Sequence, residues 1–359
     1  MDLGGKCAGR LPPAAQPQSV GQHESEARSM RVLVTGSAGH LGEGLVRILR
    51  ERQHEVVGLD LQESPFTAHV GSITDHAFIR RCMRGIDAVI HAATLHKPHV
   101  ATHRRAAFVE TNIAGTLTVL EASLDSGVGV VVHSSTTSVF GAALRPGNGQ
   151  PAAWVDERVD SVPRNIYGVT KKAAEDLCEL FYRSKGLPCI VLRTARFFPE
   201  ADDDPELRHR YDDLNLKVNE YLYRRLDLAD AVEAHVLAVE RGSGIGFARY
   251  VLSSTTPFER QHLSRLRTDA PRVVRELFTD YEDVYEPRGW KMLPSIDRVY
   301  VNQRARDELG WKPRFDYRNV LDRVKGGEEV FSELAKRVGS KGYHSQRFDE
   351  GPYPVEKDR

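Results

Sequence analysis

The stretch Arg31-Val32-Leu33-Val34-Thr35-Gly36-Ser37-Ala38-Gly39-His40-Leu41-Gly42 decides how the rest of this chain is read. Val32 to Val34 is a short apolar run of the kind that forms a buried parallel strand. Glycines follow at Gly36, Gly39 and Gly42, and Leu41, Leu45, Val46 and Leu49 then recur at helical spacing. Strand, glycine turn and helix in that order are the context of a dinucleotide fingerprint. Gly36 permits a sharp turn with positive φ. Gly39 has no side chain to obstruct a pyrophosphate, and Gly42 lets the helix pack close to the strand. The helix N-terminus presents N–H groups and a partial positive charge to the phosphates.

Glycine turns also occur without any ligand, so the second strand carries weight. Glu55-Val56-Val57-Gly58-Leu59-Asp60 is apolar and ends in an acid. Asp60 lies about 20 residues beyond the glycines, where a carboxylate accepts hydrogen bonds from the adenosine ribose. No Arg or Lys stands between Gly36 and Gly42, and an acid at 60 repels a 2′-phosphate. The expected cofactor is therefore NAD rather than NADP.

Composition narrows the class. A chain of 359 residues suffices for one large domain or two intimate lobes. Hydrophobic residues at 40% and charged residues at 28% fit an ordinary globular protein. Lys+Arg and Asp+Glu are both 50, so no global basic field draws the chain to nucleic acid or an anionic membrane, and neither is an expected partner. No apolar stretch approaches the ~20 residues of a membrane span. Cys7, Cys82, Cys178 and Cys189 form no CxxC pair, so neither a metal site nor a disulfide framework is expected. A reducing cytoplasm fits that usage.

Residues 1–29 are rich in Gly, Pro, Gln and Ser and read as a disordered extension. They lack the apolar region of a signal peptide, and Met30, directly before the first strand, is a candidate translation start. From residue 31 strand and helix patterns alternate. Strands are expected near 67–70, 86–92, 129–133 and 189–192, helices over 108–126 and 167–185, and a short strand followed by a helix over 226–239. The fold class is α/β: a Rossmann-type, doubly wound parallel sheet with helices on both faces. Ligands of such sheets sit beyond the carboxyl ends of the strands. The alternation breaks after Arg193. Residues 30–193 with 225–253 are assigned to the NAD-binding domain, 194–224 with 254–335 to a smaller C-terminal substrate lobe, and 336–359 to a loosely docked charged tail.

Two later stretches carry chemistry. His133-Ser134-Ser135-Thr136-Thr137-Ser138-Val139-Phe140-Gly141 lies at a strand end, and Tyr167-Gly168-Val169-Thr170-Lys171 opens the long helix. The i, i+4 spacing puts Tyr167 and Lys171 on one helical face. An ammonium beside a phenol is expected to lower the phenol from its usual value of about 10. Tyr167 is then a candidate acid/base for a substrate hydroxyl, oriented by a hydroxyl from the other stretch. Tyr and Lys at this spacing alone are an ordinary solvated helix face. Their order after a glycine fingerprint and a hydroxyl-rich strand end points to a site.

Thr35 to Gly42 fits the pattern TGxxGxxG, His91-Ala92-Ala93 fits HxAA, Tyr167 and Lys171 fit YxxxK, and Leu309-Gly310-Trp311-Lys312-Pro313 fits LGWxP. With these motifs the chain resembles, from residue 31 to about 325, the extended short-chain dehydrogenases/reductases of the NAD-dependent epimerase/dehydratase group. The resemblance implies that Gly36, Ala38, Gly39, His40, Leu41, Gly42, Asp60, Ala92 and Ala93 hold NAD, together with Tyr167 and Lys171. Counting back from Val139-Phe140-Gly141 puts Thr136 at the family's catalytic Ser/Thr, and Asn112 falls at its supporting helix asparagine. It further implies a homodimer built from the helices after Asn112 and at Tyr167, with Leu117, Leu120, Leu177 and Leu180 available to an interface.

The departures bear on substrate. Nucleotide-sugar members carry an asparagine three residues after the Arg that ends the sixth strand; here Arg196 stands there. They carry Arg-Asp ahead of Asp-Leu-Ala-Asp; here Asp227-Leu228-Ala229-Asp230 is preceded by Glu220-Tyr221, and an acid repels a pyrophosphate. The family's RxGD element is absent, with only Arg288 and Lys291 nearby, and the segment from Arg193 to Asp227 looks short. A 4,6-dehydratase places Asp-Glu directly after its catalytic Thr, where this chain has Thr137 and Ser138. The expected activity is reversible hydride transfer at a secondary alcohol of a sugar or sugar-derived substrate, held by His96, Lys97, Arg196 and Arg224. A UDP-hexose 4-epimerase, with Arg224, Arg225 or Arg288 supplying phosphate contacts, is the alternative. A non-catalytic NAD-binding protein is a third, opposed by the intact Thr136, Tyr167 and Lys171. His96, His99 and His103 recur at ligand-like spacing but straddle Pro98 in a loop, so no metal is assigned to them.

Overall fold

Apolar β-branched runs build the centre of the molecule. The computed structural model describes residues 29–342. The expectations for residues 1–28 and 343–359 lie outside that range. Strands β1 (Arg31–Thr35), β2 (Glu55–Asp60) and β3 (His69–Val70) are followed by β4 (Ala88–His91) and β5 (Val130–Thr136). β6 (Ala153–Val155), β7 (Cys189–Thr194), β8 (Phe247–Leu252) and β9 (Arg298–Tyr300) complete the set. Seven strands form one parallel sheet in the order β3-β2-β1-β4-β5-β7-β8. β4, β5 and β7 are buried along their whole length, as a sheet covered on both faces requires.

The helices that cover it alternate with the strands. α1 (His40–Glu51), α2 (His76–Cys82), α3 (Arg105–Phe108), α4 (Gly115–Asp125) and α5 (Ile166–Lys185) precede α6 (Pro205–Arg210), α7 (Asp213–Glu220) and α8 (Leu228–Ile245). Asp75 caps α2 by accepting from Phe78 N, and Asn165 caps α5 by accepting from Gly168 N. Leu45, Val46 and Leu49 of α1 join Val232, Val236 and Val239 of α8 against one sheet face. Val119 and Leu120 of α4 and Cys178 of α5 pack on the other.

The chain leaves β1 toward β2 and β3, then returns to β4 on the opposite side. This reversal opens a crevice at the carboxyl ends of β1 and β4. Thr35, His91, Thr136 and Thr194 are the last residues of the four strands that line it.

Three local features depart from the sequence reading. The helix expected over 108–126 is interrupted by a π-helical turn at Val109–Ala114 before α4 begins. β6 and β9 make an unanticipated two-stranded parallel sheet, joining residues 153–155 to the C-terminal lobe. The strand expected near Leu226 is reduced to a single bridge between Arg196 and Arg225.

The C-terminal region adds α9 (Leu263–Thr268), α10 (Ala270–Leu277), α11 (Tyr281–Tyr285), α12 (Gln303–Leu309), α13 (Tyr317–Lys325) and α14 (Glu333–Val338). α7, α9, α10, α11 and α13 share a separate apolar core around Tyr221, Leu266, Val273 and Val320. The motif Leu309 to Pro313 is a fastening: Trp311 is fully buried and its Nε1 donates to Asp230 O at 2.9 Å. The Asp230 carboxylate accepts from Arg314 N and Phe315 N, and Asp227 accepts from Ser332 N at 3.0 Å. α14 runs across the expected boundary at residue 335, with Leu334 and Val338 buried against α1 and α8. Among the described residues no helix is long and apolar enough to cross a membrane.

Candidate active site

The glycine turn has the shape the sequence demands. Gly36 has φ +76°, and a Cβ there would lie 2.8 Å from Ala93 N. A Cβ on Gly42 would fall 1.9 Å from Gly36 O, so this turn admits no side chain. At Gly39 the nearest atom to a built Cβ is Gly36 O at 3.4 Å, and the outer side of the turn is open. The backbone of Ala38, His40 and Leu41 and the first turn of α1 border that open side. Asp60, at the end of β2, accepts from Ala38 N and from Gln62 N, each at 3.0 Å. An ionised carboxylate with two such bonds keeps lone pairs for ribose hydroxyls. Gly36 N and Ser37 N both donate to Leu59 O, which fixes the turn to β2. Ala92 and Ala93 close the opposite wall: Ala92 N donates to Thr35 O and Ala93 N to Thr35 Oγ1. The pocket so formed fits a dinucleotide pyrophosphate and its adenosine ribose.

Deeper in the crevice, Thr136 ends β5 and Tyr167 stands in the first turn of α5. The Thr136 hydroxyl is near enough to the Tyr167 phenol to favour its ionised form, and Thr136 Oγ1 accepts from Ser138 N at 3.1 Å. Burial pushes the Tyr167 phenol up to about 12, against the smaller opposing effect of Thr136. This corrects the sequence expectation. Tyr167 and Lys171 do share a helical face, but the Lys171 ammonium is aimed at β5. Its Nζ donates to Ser134 O at 2.7 Å and lies 3.0 Å from His133 Nε2. Lys171 is 2% exposed, and burial pulls it down to about 8.

Asn112 sits in the π-helical turn, fully enclosed. Its amide clasps Leu95 from both sides, accepting from Leu95 N and donating to Leu95 O, each at 2.8 Å. It also donates to Thr170 Oγ1 at 3.0 Å. A π turn of this kind displaces one residue from the helical register, which here aims Asn112 across the gap between the β4 loop and α5.

Buried polar groups to which the sequence reading gave no role support this floor. His91 bridges Thr35 Oγ1 and Thr116 Oγ1, and His235 lies 2.9 Å from Ser134 Oγ. Burial holds His91 down to about 3 and His235 to about 4. Glu175, one turn beyond Lys171, takes the Arg193 guanidinium with bonds from 2.7 to 3.1 Å. His91 was legible only as part of its motif and Arg193 only as a strand end, while Glu175 and His235 stand outside any motif and leave no signal in one sequence.

Of the four residues assigned to substrate from sequence, three are already ion-paired. Lys97 meets Asp203, Arg196 meets Asp202 and Asp203, and Arg224 meets Asp202 and Glu220. The sequence reading treated Glu220 as an uncompensated acid. In the fold it is buried, and Arg224, Arg196 and Arg225 hold it down to about 2 despite that burial. His96 stacks edge-on to His99 and tilts over Phe198, and burial keeps it well below the ordinary imidazole value. Among the described residues no group of three His, Cys, Asp or Glu could hold a metal ion.

At the pyrophosphate side the C-terminal segment closes over α1. Lys341 N donates to His40 Nε2 at 3.2 Å, and Ser340 and His40 both bond Glu200. A cavity of ≈ 170 Å³ lies beneath, lined by His40, Phe197, Leu228, Phe331 and Ala335.

Comparison with known proteins matches residues 32–246 to the NAD dependent epimerase/dehydratase family. A dTDP-glucose 4,6-dehydratase from Streptomyces antibioticus is 28% identical over 328 residues, covering 82% of this chain and 91% of that protein. A UDP-glucose 4-epimerase from Streptomyces lividans is 27% identical over 327 residues, covering 82% and 95%. Among solved structures, a short-chain dehydrogenase/reductase superfamily protein from Agrobacterium tumefaciens with bound NAD superposes with a TM-score of 0.60 at 22% identity, covering 86% of this chain and 97% of that one.

Proposed function

Because the chain belongs to the NAD-dependent epimerase/dehydratase family, we propose that it is an oxidoreductase working on a secondary alcohol of a small sugar or sugar-derived substrate. The observation that carries this is the hydroxyl pair of Thr136 and Tyr167, with Lys171 behind it, at the inner end of a crevice shaped for a dinucleotide. When bound, NAD supplies the hydride acceptor. Gly36, Gly39 and Gly42 with the backbone of Ala38, His40 and Leu41 receive its pyrophosphate, Asp60 its adenosine ribose, and Ala92 and Ala93 wall the cleft. As the phenolate, which a cofactor cation and the Lys171 ammonium would have to favour against the burial that raises it, Tyr167 Oη would take the substrate hydroxyl proton, and Thr136 Oγ1 would orient that hydroxyl. Lys171, with two donors spent on Ser134 O and His133, keeps a third N–H for a ribose hydroxyl. Asn112 acts as a positioning residue through Leu95 and Thr170.

Residues 30–193 with 225–253 serve the cofactor, and 194–224 with 254–335 the substrate. Thr137 and Ser138 follow Thr136 in a 3₁₀ turn, so no carboxylate stands there for an elimination, which argues against 4,6-dehydration. A 4-epimerase remains the second reading. The Streptomyces lividans relative, matched over 95% of its length, favours it. The same groups would serve, with the hydride returned to the opposite face.

We also assign a homodimer in a reducing cytoplasm. Of the four leucines considered for an interface, Leu120 is committed to the sheet core, while Leu180 is 54% exposed. Val109 and Val169 are exposed with it. The thiols of Cys82, Cys178 and Cys189 are free and buried.

The deciding experiment incubates the protein and NAD with sugars, sugar acids and nucleotide sugars and follows NADH absorbance. Net NADH formation supports the oxidoreductase. Conversion between epimers without net NADH identifies the epimerase, and no reaction with any class overturns the reading.

A further inference from the structure

Three chain segments that are far apart in sequence bring cations to one place. Lys97 comes from the loop after β4, Arg196 from the first residues past β7, and Arg224 from the turn after α7. Arg196 Nη1 and Arg224 Nη2 both bond the same oxygen, Asp202 Oδ2, each at 2.9 Å. Arg196 Nη1 also reaches Asp203 Oδ1 at 3.2 Å, and Asp203 Oδ2 holds Lys97. Arg225 is adjacent and spends its charge on Glu220 at 2.7 Å.

Asp202 and Asp203 belong to the short connection between β7 and α6, which is fastened just upstream by Arg225 on Phe198 O, Lys217 on Pro199 O and Arg196 on Ala201 O. Apart from the cations, Asp202 Oδ1 accepts from Asp204 N, and the Asp202 carbonyl accepts from Arg208. Without this connection, Lys97, Arg196, Arg224 and Arg225 would face one acid, Glu220. Two arginines sharing one point with a single carboxylate repel each other, so the place demands an anion whatever its source. Burial pushes the Asp202 carboxyl above its usual range, against the pull of Arg224 and Arg196. Against the effect of burial, Lys97 and Arg196 hold the Asp203 carboxyl below its usual range, so of the two aspartates Asp202 is the weaker counter-ion. Among the described residues Lys97, Arg196, Arg224 and Arg225 meet only Asp202, Asp203 and Glu220, four cations against three acids, and the surplus positive charge is open to a further carboxylate.

We propose that Lys97, Arg196 and Arg224 form a binding site for a carboxylate carried by the substrate, and that Asp202 and Asp203 occupy it as exchangeable counter-ions until the substrate displaces them. The proposal rests on the substrate assignment above and deepens it: the substrate is a sugar acid, not a neutral sugar. Two guanidinium groups that converge on one carboxylate oxygen, Asp202 Oδ2, already show how a carboxylate is held between them. The exchange also gives specificity. A neutral sugar cannot replace the aspartates, because opening the connection would leave the cations without a partner.

The test uses D-glucuronate and D-glucose, which differ at the carboxylate, titrated calorimetrically into the NAD-saturated protein. Removing the competing aspartates in Asp202→Asn/Asp203→Asn should tighten glucuronate by about tenfold or more, since apparent affinity scales with the fraction of protein whose site is open. Glucose should not gain. Unchanged or weaker glucuronate binding in this variant overturns the proposal, as does a gain for UDP without one for glucuronate. If the double variant does not fold, the wild-type protein serves. Saturating glucuronate should then speed tryptic cleavage after Arg208 and Arg210 by releasing the connection, and glucose should not. Equal cleavage with both sugars, or protection by glucuronate, overturns the proposal. Binding is read without turnover, so the glucuronate response of the wild-type protein stands even if the proposed chemistry proves wrong.

Discussion

Lys171 Nζ lies 3.0 Å from His133 Nε2, both groups being buried beneath the crevice floor. Burial, then the Lys171 and His91 charges, keep His133 well below the ordinary imidazole value. A neutral ring beside an ammonium accepts through Nε2 and carries its proton on Nδ1, which has no partner among the described residues. His133 therefore stabilises the charged form of Lys171, opposing the burial that draws it down to about 8. The ammonium is present below that value and lost as pH rises through it. NAD affinity is expected to fall across the same range. In His133→Phe the acceptor is gone, and the fall should move to lower pH by roughly one unit. Calorimetric titration of NAD from about pH 6 to about pH 9 reads this; a fall displaced to higher pH would contradict the assigned proton.

Tyr167→Phe removes the hydroxyl and keeps the ring. Folding and NAD binding should persist, while turnover drops by about 10²-fold or more, as for loss of a positioned acid/base. Steady-state rates on a substrate found by the NADH screen provide the check. Wild-type turnover in the variant would remove Tyr167 from the mechanism.

Assigned to the adenosine ribose, Asp60 is expected to set cofactor choice. NAD should bind much more tightly than NADP, because the carboxylate accepts from ribose hydroxyls and repels a 2′-phosphate. Asp60→Ala should narrow the gap. Paired titrations of NAD and NADP with both proteins decide it, and equal affinities in the wild type would refute the assignment.

Asp230 is a fold determinant rather than a site residue. It binds Arg314 N and Phe315 N directly after the buried Trp311 turn. Asp230→Ala leaves two N–H groups unpaired there and should cost about 2–4 kcal/mol. Urea denaturation measures it, and a change within ~0.5 kcal/mol would show that water replaces the carboxylate.

The exposed Val109, Val169 and Leu180 predict a self-association face. Light scattering at micromolar concentration should give a dimer mass, and Leu180→Arg should reduce it to a monomer mass. A monomeric wild type would dismiss the interface.

The sequence by itself determined what depends on near neighbours along the chain. Gly36 must turn with positive φ and Gly42 must let α1 approach β1, and both demands are local steric facts. Asp60 closes an apolar run, and Tyr167 and Lys171 share a helical face through a period of 3.6 residues. Short apolar runs alternating with amphipathic ones were enough to read a parallel sheet and the end at which its ligand sits.

Only the tertiary structure decided where the charges are spent. Lys171 could have faced Tyr167, but β5 presents Ser134 O and His133 to it from 37 and 38 residues away in sequence. Arg196, Arg224 and Lys97 read as open cations because nothing in the chain order says that Asp202 and Asp203 fold back between them. Asn112 clasps Leu95 only because a π turn shifts it out of the helical register. Electrostatic partners are set by distance in space, and in a buried site one misplaced counter-ion reverses the sign of what a residue can bind.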